Sequence, residues 1–359
     1  MADLKGDLDA MDGDIYIEAK QLNLRQWTDS FKLLPEYHID TLLDTNLWIS
    51  LDDGDISELT SQLESRDFYI KNTKNTNSWE TKYLSTNLRY HVGSDNRILS
   101  VTDFYFGKEK VPDWPMDVNV IAQEDDENYY FSIDYFNFID LKSMASVFID
   151  KDDLQDFGEV KDLKLLADVY NLYLEMPKHA DQQAIRDKLF LQATVDNLSV
   201  FNRDNKIYVA GLYASVRYNE GEAVVDLASS DTSVEFSEIF RKPLFARTLQ
   251  GKIKLDSIDD GWHIFSESLW INNDHIETLS RLDIQVSADN DIVLDIQTDF
   301  QDAYGKYTSH YLPVGIMSDA LVGWLDMAIT DGFVPDGQFI LHGDLSDFPF
   351  DNNDGAFQV

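Results

Sequence analysis

The chain has 359 residues, 43% of them hydrophobic and 13% aromatic, enough to bury a large core, and this excludes global disorder. Its 66 Asp and Glu stand against 29 Lys and Arg, a formal charge of −37 whose field repels phosphate backbones and anionic headgroups and argues against nucleic acid as a partner. The absence of cysteine removes disulfides, thiolate nucleophiles and thiolate metal sites together, and there is neither an apolar run of about 18 residues nor a basic leader ahead of an apolar stretch.

In chain order, Asp3-Leu4-Lys5-Gly6-Asp7-Leu8 already has the character of sheet and turn, and Gly13, Ile15 and Ile17 open a strand. Residues 57–63 suggest a short helix. After the acidic turn 125–128, Phe131, Ile133 and Tyr135 alternate as a strand, and 163–173 has apolar spacing that suggests a second helix. Leu189, Leu191, Ala193 and Val195 form the next strand. Tyr208, Ala210, Leu212, Ala214, Val216 and Tyr218 are expected to share a face, with Asn219-Glu220-Gly221-Glu222 turning the chain into Val225 and Leu227.

The clearest alternation sets Leu249, Gly251, Ile253 and Leu255 against Thr248, Gln250, Lys252, Lys254 and Asp256. Leu282, Ile284, Val286 and Ala288 then pair across Asp289-Asn290-Asp291 with Ile292, Leu294, Ile296 and Phe300. One longer helix is expected over 315–330, where Ile316, Met317, Ala320, Leu321, Trp324, Leu325, Ala328 and Ile329 recur at helical spacing between Pro313 and Gly332. A loose recurrence of glycine followed by two alternate apolar residues, at Gly13, Gly251 and Gly337, matches ordinary strand openings after turns. Ala356-Phe357-Gln358-Val359 stops within a strand, so both ends suggest cuts through a longer protein.

Chemical motifs are missing. No G-x-S-x-G elbow, H-E-x-x-H, C-x-x-C, G-x-G-x-x-G or phosphate-binding loop occurs. The seven histidines lie far apart with no ligand spacing, so neither cofactor nor metal is expected. The acidic stretches 150–153 and 351–355 lack the oxygen pattern of an EF-hand and fit solvated turns. Many strands with an apolar face and few helices to cover them leave two architectures. One is a sandwich or closed barrel; the other is a single curled sheet whose apolar face takes up a hydrophobic ligand.

Specific motifs lie in the C-terminal half: Tyr311-Leu312-Pro313, Gly323-Trp324-Leu325-Asp326, Gly332-Phe333-Val334-Pro335-Asp336-Gly337, Leu341-His342-Gly343-Asp344-Leu345 and Asp347-Phe348-Pro349-Phe350. Upstream stand Leu198-Ser199-Val200, Val209-Ala210-Gly211-Leu212, Lys242-Pro243-Leu244, Leu249-Gln250-Gly251-Lys252-Ile253 and Gly261-Trp262-His263-Ile264. In type and order these resemble the central region of the YhdP family, from about residue 160 to the end. Asp344 replaces the proline usual after the last-strand glycine, and the acidity is heavier than in many relatives.

The resemblance implies an AsmA-like envelope protein, not an enzyme. An N-terminal helix outside this chain would anchor it in the inner membrane, and it would reach across the periplasm and pass phospholipids toward the outer membrane. The expected fold is mainly β, a long curved antiparallel sheet forming an apolar groove, with few short helices. Residues 1–159 form an N-terminal β-rich segment and 160–359 the YhdP-like region. Leu212, Val216, Ile253, Leu255, Ile284, Val286, Leu294 and Ile296 are expected to contact acyl chains, although each fits a dry core equally. Trp324 and Leu325 are expected to pack the helix against the sheet. The alternatives are a sandwich-type extracellular binding or adhesion module, with Trp48, Trp79, Trp262 and Trp270 as contacts, and an acidic surface hydrolase.

Overall fold

The computed structural model describes residues 12–26, 35–108, 111–148, 163–179, 181–202, 206–258, 261–287, 291–315, 317–348, 350 and 354–359. Strands account for 69% of them, in open, curved, antiparallel sheet with few short helices. The chain divides into two compact units, Met1–Lys161 with Val169–Ile185, and Asp162–Asp168 with Arg186–Val359.

The first unit is a meander in which sequence neighbours pair antiparallel: β1 (Gly13–Asn23), β2 (Tyr37–Asp52), β3 (Asp55–Asn72), β4 (Ser78–Val92) and β5 (Arg97–Lys108). β5 pairs with both β6 (Val111–Pro112) and β7 (Val118–Glu124), and β7 pairs with β8 (Asn128–Asn137). Helix α1 (Phe138–Ala145) follows, capped by the Asn137 side chain. Strand β9 (Leu163–Pro177) straddles the division between the units, and a short helix α2 (Gln182–Lys188) comes next.

The second unit continues as β10 (Phe190–Asn202), β11 (Ile207–Asn219), β12 (Glu222–Phe236), β13 (Leu244–Ile258), β14 (Gly261–Asn272), β15 (Glu277–Ser287), β16 (Ile292–Tyr304), β17 (Phe333–Asp344) and β18 (Ala356–Gln358). Each pairs antiparallel with the next. Two short helices, α3 (Thr308–Tyr311) and α4 (Asp319–Ala328), lie between β16 and β17.

Two-residue turns follow their sequences. Asn219 pairs with Glu222, and between them Glu220 and Gly221 have φ of 51° and 86°; Asp52 pairs with Asp55 across Asp53 and Gly54 at 51° and 83°. Positive φ at both central residues is the geometry that matches strand twist in a tight hairpin. The 289–291 turn falls mostly outside the described residues, but Val286 pairs with Ile292 as that hairpin requires.

The strands are long because they are interrupted. Between Ala19 and Leu22 on β1 the partner strand advances only from Thr45 to Leu43, and Gln21 at φ 50° is the extra residue. The same two-against-three mismatch occurs at Asp67 on β3, Asp103 on β5, Asn197 on β10 and Gly211 on β11, all at φ between 50° and 77°. These are β-bulges, and Asn, Asp and Gly tolerate the left-handed conformation they need. Side chains satisfy the backbone groups that the bulges free. Ser229 Oγ accepts from Tyr213 N at 2.9 Å, Thr232 Oγ1 donates to Gly211 O at 3.2 Å, and Asp44 Oδ1 accepts from Gln21 N at 2.6 Å.

At one end of the first unit the apolar face is closed by an aromatic chain. Phe68, Trp79, Phe106, Trp114 and Tyr135 meet ring to ring at 4.9–5.6 Å. Helix α1 is tied down beside them: Trp114 Nε1 donates to Asp140 Oδ2 at 2.9 Å, and the Asn72 amide donates to Val147 O at 2.8 Å. Val118 and Val147 are fully buried.

Five expectations need correction. Residues 57–63 lie inside β3, and 163–173 inside β9. In β9 Ala167 and Val169 alternate as buried positions, but Asn171 sits at φ 51° and shifts the alternation, so the apolar spacing imitates a helix. The longer helix spans Asp319–Ala328 and not 315–330, because Gly315 N bonds Ile239 O and the Ser318 hydroxyl caps Leu321 N. It leaves Leu321, Val322 and Leu325 half-buried and Trp324 60% exposed, which is against the expectation that Trp324 packs on the sheet. Finally, the bulge at Gly211 puts Val209 on the face of Leu212, which sends Tyr208 and Ala210 to the other side.

Candidate functional site

Directly paired residues of an antiparallel sheet share a face, so the ladder shows which side chains come together. Across the second unit, Val216 faces Val225 and Val225 faces Ile253. Leu255 faces Ile264, then Ile284, then Leu294, in an unbroken apolar row over four strands. Trp262, Val286 and Ile292 form a parallel row, and Leu282, Ile296 and Leu341 another. Leu212 joins through Leu198 and through its alternation with Ala214 and Val216. All eight residues singled out in the sequence therefore lie on one side of one sheet.

Leu294 is buried at 8%, while the other seven are half-buried, neither sealed nor fully exposed. Val225, Ile264, Leu282 and Leu341 complete the rows and fill the spaces between the eight. Their alternation was as regular as that of the eight, and only the strand register shows that they bridge them.

The reverse side is charged. Lys254 approaches Glu222 at 3.9 Å, Lys252 approaches Asp226 at 3.3 Å, and Arg281 approaches Asp295 at 3.7 Å. His263 lies between Asp283 at 2.9 Å and Asp256 at 3.9 Å. These pairs are largely exposed and contribute little stability, but they fix which side meets water.

The first unit has its own apolar hollow, of about 510 Å³, lined by Tyr90, Leu99, Ala122, Phe131, Leu174 and Met176. Its rim is an ionic knot in which Glu124 accepts from Lys178 and Arg97, each at 2.9 Å, and both contacts hold its carboxyl below the usual range. Lys178 also lies over the Tyr129 ring at 4.8 Å. This hollow escaped sequence reading because β9, which supplies Leu174 and Met176, has an alternation broken by Asn171.

The four tryptophans have different surroundings. Trp48 is 43% exposed against Tyr16, Trp79 belongs to the aromatic chain, Trp262 is 53% exposed on the apolar side, and Trp270 donates to Glu277 at 3.1 Å. Among the described residues no three His, Asp or Glu side chains are grouped to hold a metal, and no helix is long and apolar enough to cross a membrane. Of the acidic stretches, 150–153 and most of 351–355 fall outside the described residues.

An open antiparallel sheet with an accessible apolar side and a charged reverse defines a groove-type β protein. The family model described as YhdP protein matches residues 2–359, and the chain belongs to the YhdP family. This is a cell-envelope family, and its membership together with the open curved sheet fits lipid-transport bridge proteins. No curated protein and no solved structure matches the chain.

Proposed function

We propose that this chain carries phospholipid acyl chains along its apolar sheet faces, as part of phospholipid transfer between the inner and outer membranes, and that it performs no catalysis. The observation that carries this reading is the row Leu255, Ile264, Ile284 and Leu294 with its neighbours: an apolar surface four strands wide in which most side chains stay partly accessible. Hydrocarbon needs a continuous apolar surface and no reactive group. A sandwich would press such a face against a second sheet, whereas the second unit's strands follow one another in a single layer order from β10 to β18.

In this reading Leu212, Val216, Ile253, Leu255, Ile284, Val286, Leu294 and Ile296 contact acyl chains. Residues 1–159 and 160–359 both supply lipid-contacting surface, and the protein works in the periplasm, held to the inner membrane by an anchor outside this chain.

The test is the pair Ile253→Asp with Ile284→Asp. An ionised carboxylate against hydrocarbon costs several kcal/mol, comparable with the burial of a few methylenes at about 0.8 kcal/mol each. Phospholipid co-purifying with the variant, measured by mass spectrometry, should fall steeply while circular dichroism keeps the β signal. Unchanged lipid content in a folded variant would refute the groove, and loss of the fold would point to a sealed core.

A further inference from the structure

In a chain of net charge −37, one place among the described residues gathers two lysines and two histidines, with Asp274 as the carboxylate whose charge acts on His275. It lies in the second unit, where β13 begins, the β14–β15 turn closes and β16 ends, beside the strands that carry the apolar face. Lys242 Nζ lies 3.0 Å from His310 Nε2, and Lys306 Nζ lies 4.8 Å from the centre of the Tyr307 ring. Tyr307 stacks on His275 at 3.6 Å with 15° between planes, and His275 meets His310 edge-on at 5.4 Å. Among the described residues neither lysine has a carboxylate within ion-pair reach. The nearby Arg241 and Arg247 are already paired, with Asp326 and Asp274.

Asn273 Oδ1 accepts from the backbone N–H of His275 at 2.8 Å and of Ile276 at 3.1 Å, so its amide nitrogen must be the donor to Phe245 O at 2.7 Å and to Tyr311 Oη at 3.0 Å. Tyr311 Oη lies 3.0 Å from His275 Nδ1 and 3.4 Å from Asn273 Oδ1. His275 Nε2 has no hydrogen-bond partner among the described residues. His310 Nε2 accepts from the Lys242 ammonium, which leaves its Nδ1 bearing a proton. Two ammoniums and the Nδ1–H of His310 are thus held as donors without an ion-paired carboxylate, beside the unpartnered Nε2 of His275.

We propose that this cluster binds a phosphate group at the end of the strands that carry the second unit's apolar face. The chemistry is that of a phosphate oxygen, whose charge suits ammonium and imidazole N–H donors; the source is a phospholipid headgroup or free phosphate. The headgroup version rests on the acyl-chain reading above, and it gives the acidic surface one exception where a phosphate meets attraction and not repulsion. Phosphate favours the protonated form of His310, whose Nε2–H repels the Lys242 ammonium at 3.0 Å, so both groups turn to the anion.

The experiment follows both imidazoles by two-bond 1H–15N spectra while inorganic phosphate is titrated in, with chloride at equal ionic strength as the control. Phosphate should raise the pKa of His275 and His310 in the wild type and not in Lys242→Gln with Lys306→Gln. Equal responses in the two proteins, or none in either, overturn the site. A second arm compares dihexanoylphosphatidylcholine with dihexanoylglycerol by calorimetry. A headgroup site predicts a preference of about tenfold for the phospholipid, lost in the double variant. A phosphate response without that preference assigns the site to free phosphate. Dihexanoylglycerol binding in the double variant reports the apolar face alone, so its absence refutes the acyl-chain reading and leaves the phosphate titration to judge the cluster.

Discussion

At the residue scale, what matters about a side chain is which side of the sheet its pairing puts it on and what it meets there. Burial holds His275 and His310 below the ordinary 6.5, with Lys242 adding to the effect on both. Both are therefore neutral in the fold at a pH where the unfolded chain begins to take up protons. Their contribution is complete above about 6.5 and is lost as pH falls from there toward their folded values. The melting temperature should drop as pH goes from about 7.5 to 5.5, and His275→Gln with His310→Gln should flatten that slope. An equal slope in the variant would show that other groups govern the range. Arg241 tests a different contact, since its guanidinium grips Asp326 of α4 through bonds of 2.8 and 2.7 Å. Arg241→Ala should free the helix, seen as faster proteolysis within 319–328 and faster amide exchange there, while exchange in β13 and β14 stays unchanged.

The bulges dominate at the element scale. Each adds one residue and reverses the alternation downstream, so strands as long as the 18 residues of β3 keep apolar side chains on one side after a change of register. Asn197 at φ 50° shows the cost. A β-branched residue in that conformation loses about 1–2 kcal/mol, whereas glycine adopts it freely. Asn197→Val should lower the free energy of unfolding in urea by about that amount, and Asn197→Gly should leave it within about 0.5 kcal/mol. Equal effects of the two would mean that side-chain bonds, and not backbone conformation, decide the residue there. The buried hydroxyls nearby belong to the same device, and among the described residues Ser266 Oγ alone is buried without a hydrogen bond. Ser266→Ala should therefore be neutral or stabilising in the same measurement.

At the scale of the whole molecule the charge balance sets the response to salt. The ion pairs are mostly exposed and individually weak, while an excess of 37 negative charges repels itself in the folded state. Raising sodium chloride from about 20 mM to 500 mM shortens the Debye length from roughly 20 Å to 4 Å. The melting temperature should rise, and a fall would show that the ion-pair ladders on the reverse side outweigh the repulsion.

The sequence by itself determined the class of fold, the family and the eight apolar positions on one face, because period-two alternation and turn residues are local properties of the chain. Leu249 to Leu255 against Lys252 and Lys254 leaves no doubt about which side is which, and Glu220-Gly221 can hardly do anything but turn. Tertiary structure decided the rest. Whether 163–173 is helix or strand depended on Asn171 taking a left-handed conformation inside a ladder, which local spacing does not encode. The Lys242, His275, His310 and Lys306 cluster joins residues up to 68 positions apart, Lys242 and His310 at the extremes. Alternation places side chains above or below a strand, but only strand register and the crossing of the segment after β16 bring those four together.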